Sequence, residues 1–231
     1  FSHLRKRIAE NMLASKSRSP HVLQAIEVDF QGVLTARRQV EDAWRQHHAF
    51  APTFLPFVAH AVCRALAHYP VVNASIVGEA LRLHADANLA IAVDLEFSGI
   101  VAPVVRGAQG CSVLELGQRI DELIRRARAG KLMADDLRGG TYTISNSGTF
   151  GTLLTAPIIN PPQVAILSLD GIRKRPVVVE SAAGDAIAIR PVGILAQSFD
   201  HRAFDGAYSA AFLRCLKELI ETSDWSRLMM T

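Results

Sequence analysis

Cysteine is scarce: Cys63, Cys111 and Cys215 stand far apart in 231 residues and form no CxxC pair. An odd, scattered set argues against a disulfide framework and fits a reducing compartment. Cys63 and Cys215 fall in apolar helical patterns and read as buried, inert thiols. Uninterrupted apolar runs of about 18 residues are also missing, so no transmembrane helix is expected. The opening FSHLRKRIAENM has basic residues but no apolar h-region, which excludes a secretory signal. It lacks an initiator Met, and the chain is read as a fragment of something longer. No charge of one sign dominates, with 25 Lys and Arg against 22 Asp and Glu, a net +3 spread along the chain. A nucleic-acid binder usually carries a dense basic stripe, so that class loses support, while a mild attraction for an anionic ligand remains. GxSxG, HExxH, GxxxxGK[ST] and GxGxxG are all absent, which removes the best support for serine-hydrolase, zincin, P-loop and Rossmann readings. The eight histidines are mostly scattered, and His47-His48, at a helix end without an obvious carboxylate partner, reads as a solvated pair rather than a metal site.

What is present suits an ordinary globular chain: 49% of residues are hydrophobic and 20% charged. In HLRKRIAENMLASK, 3–16, Leu4, Ile8 and Met12 recur at helical spacing, and Ser19-Pro20 ends the helix. HVLQAIEVDF alternates as a strand over 21–30. Helices are expected over 33–47 and 53–69, the second apolar nearly all round and hence buried, with Thr53 as its cap and Pro70 as its stop. ASIVG, EALRLH, NLAIAVDL and GIVAPVV read as strands between 73 and 105. A charged amphipathic helix follows over 112–129, capped by Ser112 and ended by Gly130. Strands are expected at 141–145, 163–169, 176–180 and 186–199. A last helix runs from Asp205 or Gly206 to about 222, with Phe212, Leu216 and Leu219 on its core face. There is no repeat, low-complexity tract or long linker, so residues 1–231 read as one mixed α/β domain.

Two stretches carry candidate chemistry. QSFDHRAFDGAYSAAFL, 197–213, places His201 four residues before Asp205 and Gly206 at a strand-to-helix junction. A capped helix with a surface histidine explains it: Gly206 tightens the turn and Asp205 caps through its side-chain oxygen. The same rigidity suits a histidine held as a general base. GGTYTISNSGTFGTLLTAPIINPPQVAIL, 139–167, joins a strand, a polar turn (Ser145, Asn146, Ser147), a GTFG loop beginning at Gly148, a double proline and a second strand. Turn chemistry accounts for it locally. A serine hydroxyl at a strand end can also donate to a developing oxyanion.

Taken together the two are more specific. SFDHRAFDGA resembles the DHRxxDG signature of the 2-oxo acid dehydrogenase acyltransferases, the dihydrolipoamide acyltransferase (E2) component of those complexes, and TYTISNSGTFGTLLTAPIINPPQVAIL resembles that family's second signature. RKRIAENMLASKSRSPHV, HYPVVNASIVGE, GIVAPVVRGA and RARAGKLMADDLRGGTYTISN are similar to the same catalytic domain, in order, over essentially the whole chain. The resemblance implies a chloramphenicol acetyltransferase-like fold, a mixed α+β sandwich whose mixed sheet is flanked by helices. It implies a homotrimer, in some members built into a larger hollow core through C-terminal apolar residues such as Leu228, Met229 and Met230. It implies transfer of a short acyl group, acetyl or succinyl from the INPPQ form, between a dihydrolipoyl thiol and coenzyme A. His201 is then the base, Ser145 the oxyanion donor from an adjacent chain, and Asp205 a structural residue holding the histidine segment. The lipoyl group rides on a separate domain, and lipoyl and subunit-binding modules are absent from this chain. Partners are the 2-oxo acid dehydrogenase and dihydrolipoamide dehydrogenase components, with no nucleic acid, membrane or metal. The compartment is the bacterial cytoplasm, with the mitochondrial matrix as the other option.

The chemistry fits these residue types. A thiol is largely protonated at neutral pH, and a neutral imidazole within hydrogen-bond reach removes its proton as sulfur attacks a thioester. Both substrates bring their own sulfur, so no enzyme nucleophile is required. A Ser198–His201 pair lacks an elbow or acid partner. Coenzyme A phosphates call for a basic entrance, for which Arg5, Lys6 and Arg7, or Arg173, Lys174 and Arg175, are candidates against a reading as solvated charge. Asn146 either positions Ser145 or completes the turn. Gln197 and Phe204 depart from the resembled pattern and are expected to reshape the pocket. Two other readings stand: a non-catalytic core protein on this fold, and a stand-alone acetyltransferase for a small alcohol or amine.

Overall fold

A computed structural model describes residues 1–47, 52–180, 182 and 184–229. His48, the side chain of His47, and Met230, all named above, lie outside the described residues.

The chain opens with α1 (His3–Arg18), whose first turn is capped by the Ser2 hydroxyl, and β1 (His21–Asp29). α2 (Gln31–His47) and α3 (Leu55–His68) follow. Thr53 does not cap α3: Phe54 occupies the N-cap, where its ring has no acceptor to offer, and Pro56 in the first turn removes one of the donors a cap would serve. The burial expected of a nearly all-apolar α3 holds from Leu55 to Leu66 except at His60, which is half-buried, and Arg64, which is exposed. A short hairpin, β2 (Ala74–Val77) and β3 (Ala80–Leu83), stands apart from the main sheet. β4 (Leu89–Asp94), β5 (Ile100–Val101) and β6 (Val104–Val105) lead to α4 (Val113–Arg128), which begins with a full capping box between Ser112 and Glu115. Next come β7 (Tyr142–Asn146), β8 (Ala165–Leu169), β9 (Arg173–Val179) and the long β10 (Ala186–Asp200). α5 (Gly206–Thr222) and the short α6 (Trp225–Leu228) close the chain.

Among the described residues, eight strands form one sheet in the order β1-β10-β8-β7-β4-β5, with β6 also on β4 and β9 on β10. β7 is parallel to both β4 and β8; the remaining pairs are antiparallel. Strand alternation divides the sheet into two unlike faces. One carries large side chains, Tyr142, Ile144, Leu167, Leu195 and Phe199, all fully buried beneath the helices, including Phe212 and Leu216 of α5. The other is built of small and hydroxyl residues: Ala90, Thr143, Ser168, Ala196 and Ser198. Segment 152–163 reaches this face: Thr143 donates to Gln163 at 2.6 Å, and Thr155 donates to Asp170 at 2.7 Å. From the far side, Ser15 of α1 donates to the Ile159 carbonyl at 2.6 Å. His21 clamps the same segment, with Nδ1 2.8 Å from the Ser19 carbonyl and Nε2 accepting from the Ile159 N–H at 3.0 Å, so its proton sits on Nδ1.

Burial of Phe212, Leu216 and Ile220 along α5 contributes about 1.5–3 kcal/mol per side chain. α6 is held by Trp225, which stacks edge-on against Phe57 and His60 and donates its indole N–H to the Ile220 carbonyl at 2.8 Å. Met229 is buried beside it, so this end of the chain docks on its own domain. Burial raises the Cys63 thiol to about 12 and also pushes Cys111 and Cys215 up, so the thiols stay protonated. Cys215 is only partly buried, because α5 turns that side toward solvent.

Candidate active site

β10 delivers His201 to one end of the sheet. Asp200, the last strand residue, is buried, and its N–H donates to Val164. Its carboxylate accepts from the Arg202 N–H and Nε at 3.0 Å each and from Nη2 at 2.7 Å. Burial alone would raise the Asp200 carboxyl; hydrogen bonds from Arg202 and Ser19 outweigh it and hold the group below its ordinary range. His201 donates its backbone N–H to the Pro20 carbonyl at 3.1 Å, and its ring lies over Phe199, 5.9 Å between centroids. Phe199 stacks in turn on Phe204 at 5.0 Å. The histidine thus stands on a fixed two-ring platform, with 45% of its side chain accessible.

Asp205 departs from its expected role. It occupies the N-cap of α5 but makes no side-chain cap bond. Its carboxylate points instead to His201, 3.6 Å from Nδ1, and is 84% exposed. A water-facing pair at that distance contributes little stability, so the segment is held by Asp200 and Arg202, which sequence reasoning missed. The signal was the D-H-R order itself: a carboxylate and a guanidinium two residues apart can fold back on each other where a strand ends. Gly206 does not take a left-handed conformation; a Cβ there would come within 3.1 Å of the Gln24 amide, the movable end of a flexible side chain.

Ser145 lies at the other end. It is partly buried on the small-residue face, in register with Ala92 of β4 and Ser168 of β8. The turn beyond it is closed by Asn146, whose Oδ1 accepts from Gly148 N–H at 3.2 Å; the side chain therefore completes the turn. Gly148 is required there, because a Cβ would meet the Asp170 carbonyl at 2.8 Å. Asp170, also missed, is the buried anchor of this loop: it accepts from the hydroxyls of Thr152, Thr155 and Ser168 and from Thr155 N–H. A lone Asp after a strand gives no sequence sign of partners 15 and 18 residues upstream.

The register fixes how far apart the two residues are within one chain. Ser145 is level with Ser168, and Ser168 with Ala196, two strands over. Five residues of strand rise and two strand spacings then separate the Cα atoms of Ser145 and His201 by about 19 Å. Each end has its own cleft. One of about 400 Å³ is lined by Arg18, Asn160, Gln163, Asp200 and Arg202; another of about 300 Å³ is lined by Arg37, Phe54, Asn146, Gly148 and Ile172.

The basic candidates divide likewise. Arg173 donates to the Gly151 carbonyl and Arg175 pairs with Glu27 at 3.1 Å, while Lys174 is exposed; all three lie at the Ser145 end. Arg5, Lys6 and Arg7 are exposed on α1. α1 meets the cleft below His201 through Asn11, Ala14, Ser15 and Arg18, and Arg5, Lys6 and Arg7 are not among its lining residues. Gln197 does not shape a pocket. It is buried in the core, accepting from the Tyr142 hydroxyl at 2.8 Å and donating to Ser209 at 2.9 Å. Phe204 likewise packs under His201 rather than lining either cleft. Ser198 is buried mid-strand between Leu23 and Ile166 and offers no accessible nucleophile. No His/Cys/Asp/Glu cluster suited to a metal occurs among the described residues.

The fold is that of chloramphenicol acetyltransferase, to a structure of which this chain is similar with a TM-score of 0.57 at 16% identity, covering 92% of this chain and 94% of that one. Residues 1–230 match the family described as 2-oxoacid dehydrogenases acyltransferase (catalytic domain), and the chain belongs to it. It is 41% identical over 230 residues to the dihydrolipoyllysine-residue succinyltransferase component of the 2-oxoglutarate dehydrogenase complex of Haemophilus influenzae, covering 100% of this chain and 54% of that protein. It superposes with a TM-score of 0.90 at 34% identity on a probable dihydrolipoamide acetyltransferase from Listeria monocytogenes, covering 95% and 92% of the two chains. The same TM-score, 0.90, at 30% identity and 96% and 90% coverage, relates it to the cubic core of the pyruvate dehydrogenase multienzyme complex. The chain spans about half the length of the curated relatives it matches.

Proposed function

We propose that this chain is the catalytic domain of a dihydrolipoamide acyltransferase, moving a short acyl group, acetyl or succinyl, between a dihydrolipoyl thiol and coenzyme A. The observation that carries the reading beyond family membership is the placement of the two signature residues. His201 and Ser145 are both partly open, each beside its own cleft, at opposite ends of one sheet. A site using both is completed only when a second copy presents its Ser145 end to the His201 end of the first.

At such a seam the imidazole Nε2 takes the proton of the attacking thiol. Asp205 beside Nδ1 favours the tautomer that leaves Nε2 basic. Sulfur adds to the thioester carbon, and the carbonyl oxygen, now negative, accepts a hydrogen bond from the Ser145 hydroxyl. The carbon–sulfur bond of the leaving thiolate then breaks, and the histidine returns the proton to that sulfur. The reading includes a homotrimer, assembled in the complex with 2-oxo acid dehydrogenase and dihydrolipoamide dehydrogenase components, in the bacterial cytoplasm. The lipoyl group is carried by a separate domain.

The test is steady-state transfer between acetyl- or succinyl-coenzyme A and dihydrolipoamide. His201→Ala is expected to lower kcat by roughly 10²–10⁴. Ser145→Ala is expected to lower it by roughly 10²–10³ with little change in KM. Normal turnover by both variants overturns the assignment.

A further inference from the structure

α5 begins without the cap that its first residue could give. Asp205 holds the N-cap in extended backbone, φ −90° and ψ 167°, the geometry from which an aspartate ordinarily accepts from the second or third N–H of its helix. Its carboxylate makes no such bond and lies 3.6 Å from His201 Nδ1. The Asp205 carbonyl takes the N–H groups of Tyr208 and Ser209 at 3.1 and 3.2 Å. Those of Gly206 and Ala207 have no acceptor inside the helix and are left for a group outside it.

Gln24 of β1 stands beside this helix start. Its amide comes within 3.1 Å of where a Gly206 Cβ would lie, and glycine leaves that space open. The register places Gln24 opposite Gln197, whose own amide donates to Ser209, one turn further along α5. The two glutamines therefore meet one face of the helix a turn apart. Gln24 Oε1 is buried without a hydrogen-bond partner among the described residues, while Nε2 is the end turned to Gly206. A donor there faces donors and an acceptor is stranded, and each costs free energy. A half-turn about the last side-chain torsion exchanges the two ends in the same space. The oxygen then faces the N–H groups of the helix start, where the positive end of the helix dipole favours it. Gln197 stands across the strands to receive the displaced N–H, since its oxygen accepts from Tyr142 and has a second lone pair.

We propose that Gln24 is a positioning residue: its amide oxygen caps α5 from the edge strand and so releases the Asp205 carboxylate to orient His201. This rests on His201 acting as the base and adds what keeps its partner in place. Asp205 has two competing uses, helix cap and imidazole partner. With the helix start served by Gln24, the second use prevails. Without the glutamine oxygen the carboxylate turns back to the N–H of Ala207 or Tyr208, and Nδ1 loses the acceptor that fixes its tautomer.

The experiment compares Gln24→Leu and Gln24→Glu with the parent by crystallography and by kcat and KM for transfer to dihydrolipoamide. In Gln24→Leu the Asp205 carboxylate is expected within hydrogen-bond distance of the Ala207 or Tyr208 N–H and away from Nδ1, with kcat lower by about 10-fold and KM unchanged. Gln24→Glu keeps an oxygen at the same reach, and is expected to leave Asp205 on His201 and kcat within about twofold of the parent. Gln24→Leu added to Asp205→Ala is expected to cost no further rate, because residues that act through one another are not additive. An Asp205 that stays on the imidazole in Gln24→Leu, a Glu variant as impaired as the Leu variant, or independent losses in the double variant overturns the inference. Should Gln24→Leu fail to fold, Gln24→Met fills similar space without an amide, with a displaced Asp205 as the supporting result and an unmoved one as the refuting result. The position of Asp205 is read without turnover, so a parent inactive in acyl transfer refutes the functional reading while the crystal structures still decide the role of Gln24.

Discussion

Mixing two dead variants offers a strict check on where the site lies. A His201→Ala chain still supplies Ser145, and a Ser145→Ala chain still supplies His201. Within either chain the two positions are about 19 Å apart by strand register, too far for one tetrahedral intermediate to touch both. If the site is a seam between copies, each seam takes Ser145 from one and His201 from the next. In a mixed ring of three, whichever variant is present twice, one seam in three then has both groups intact. Activity of the purified mixed rings is expected to return to about a third of the parent value, against about 1% or less for either variant alone. The assay is co-expression with two affinity tags, tandem purification of mixed rings, and initial rates of transfer to dihydrolipoamide. Mixed rings that stay at the level of their parents would refute the two-chain site, however well each variant folds.

Two further outcomes concern ionisation. Asp200 has its carboxyl held low in the fold, so its stabilising effect is present at neutral pH and is lost as the pH falls below the ordinary carboxylate range, about 3.9. Asp200→Asn should lower the melting temperature at pH 7 and narrow its gap from the parent near pH 3; an equal deficit at both would count against the Arg202 pairing. His60 has its pKa lowered from the ordinary 6.5 by burial and by Arg64, so the fold favours the neutral ring. Stability is therefore full above about 6.5 and declines as the pH drops below it, since the unfolded chain takes up the proton first. His60→Gln should flatten denaturant midpoints measured between pH 7 and 5, and an unchanged slope would refute the role.

Much of the fold was legible because it is written in local patterns. The alternation of HVLQAIEVD, the Ser112–Glu115 box and the apolar run of α3 each depend on neighbours within a turn or a strand. What escaped depends on partners far along the chain. Asp170 reads as an ordinary turn residue until segment 152–155 folds onto it. Gln197 suggests a pocket departure until Tyr142 and Ser209 close around it, 55 and 12 residues away. Asp205 suggests a cap because it precedes a helix, yet its carboxylate turns to the imidazole four residues back. Signature residues nominate His201 and Ser145, while the geometry separating the two follows only from strand register.

The Tyr142–Gln197–Ser209 chain has a consequence for the His201 end of the molecule. It bolts three elements, β7, β10 and α5, at a depth no water reaches, and burial keeps the phenol far from ionising. Sliding α5 by one residue would strand the Ser209 hydroxyl and the Gln197 amide N–H together, so its rotation is indexed rather than merely greased by hydrocarbon. The imidazole at residue 201 hangs on the short span between that bolt and the helix start, and inherits its aim from a glutamine it never meets.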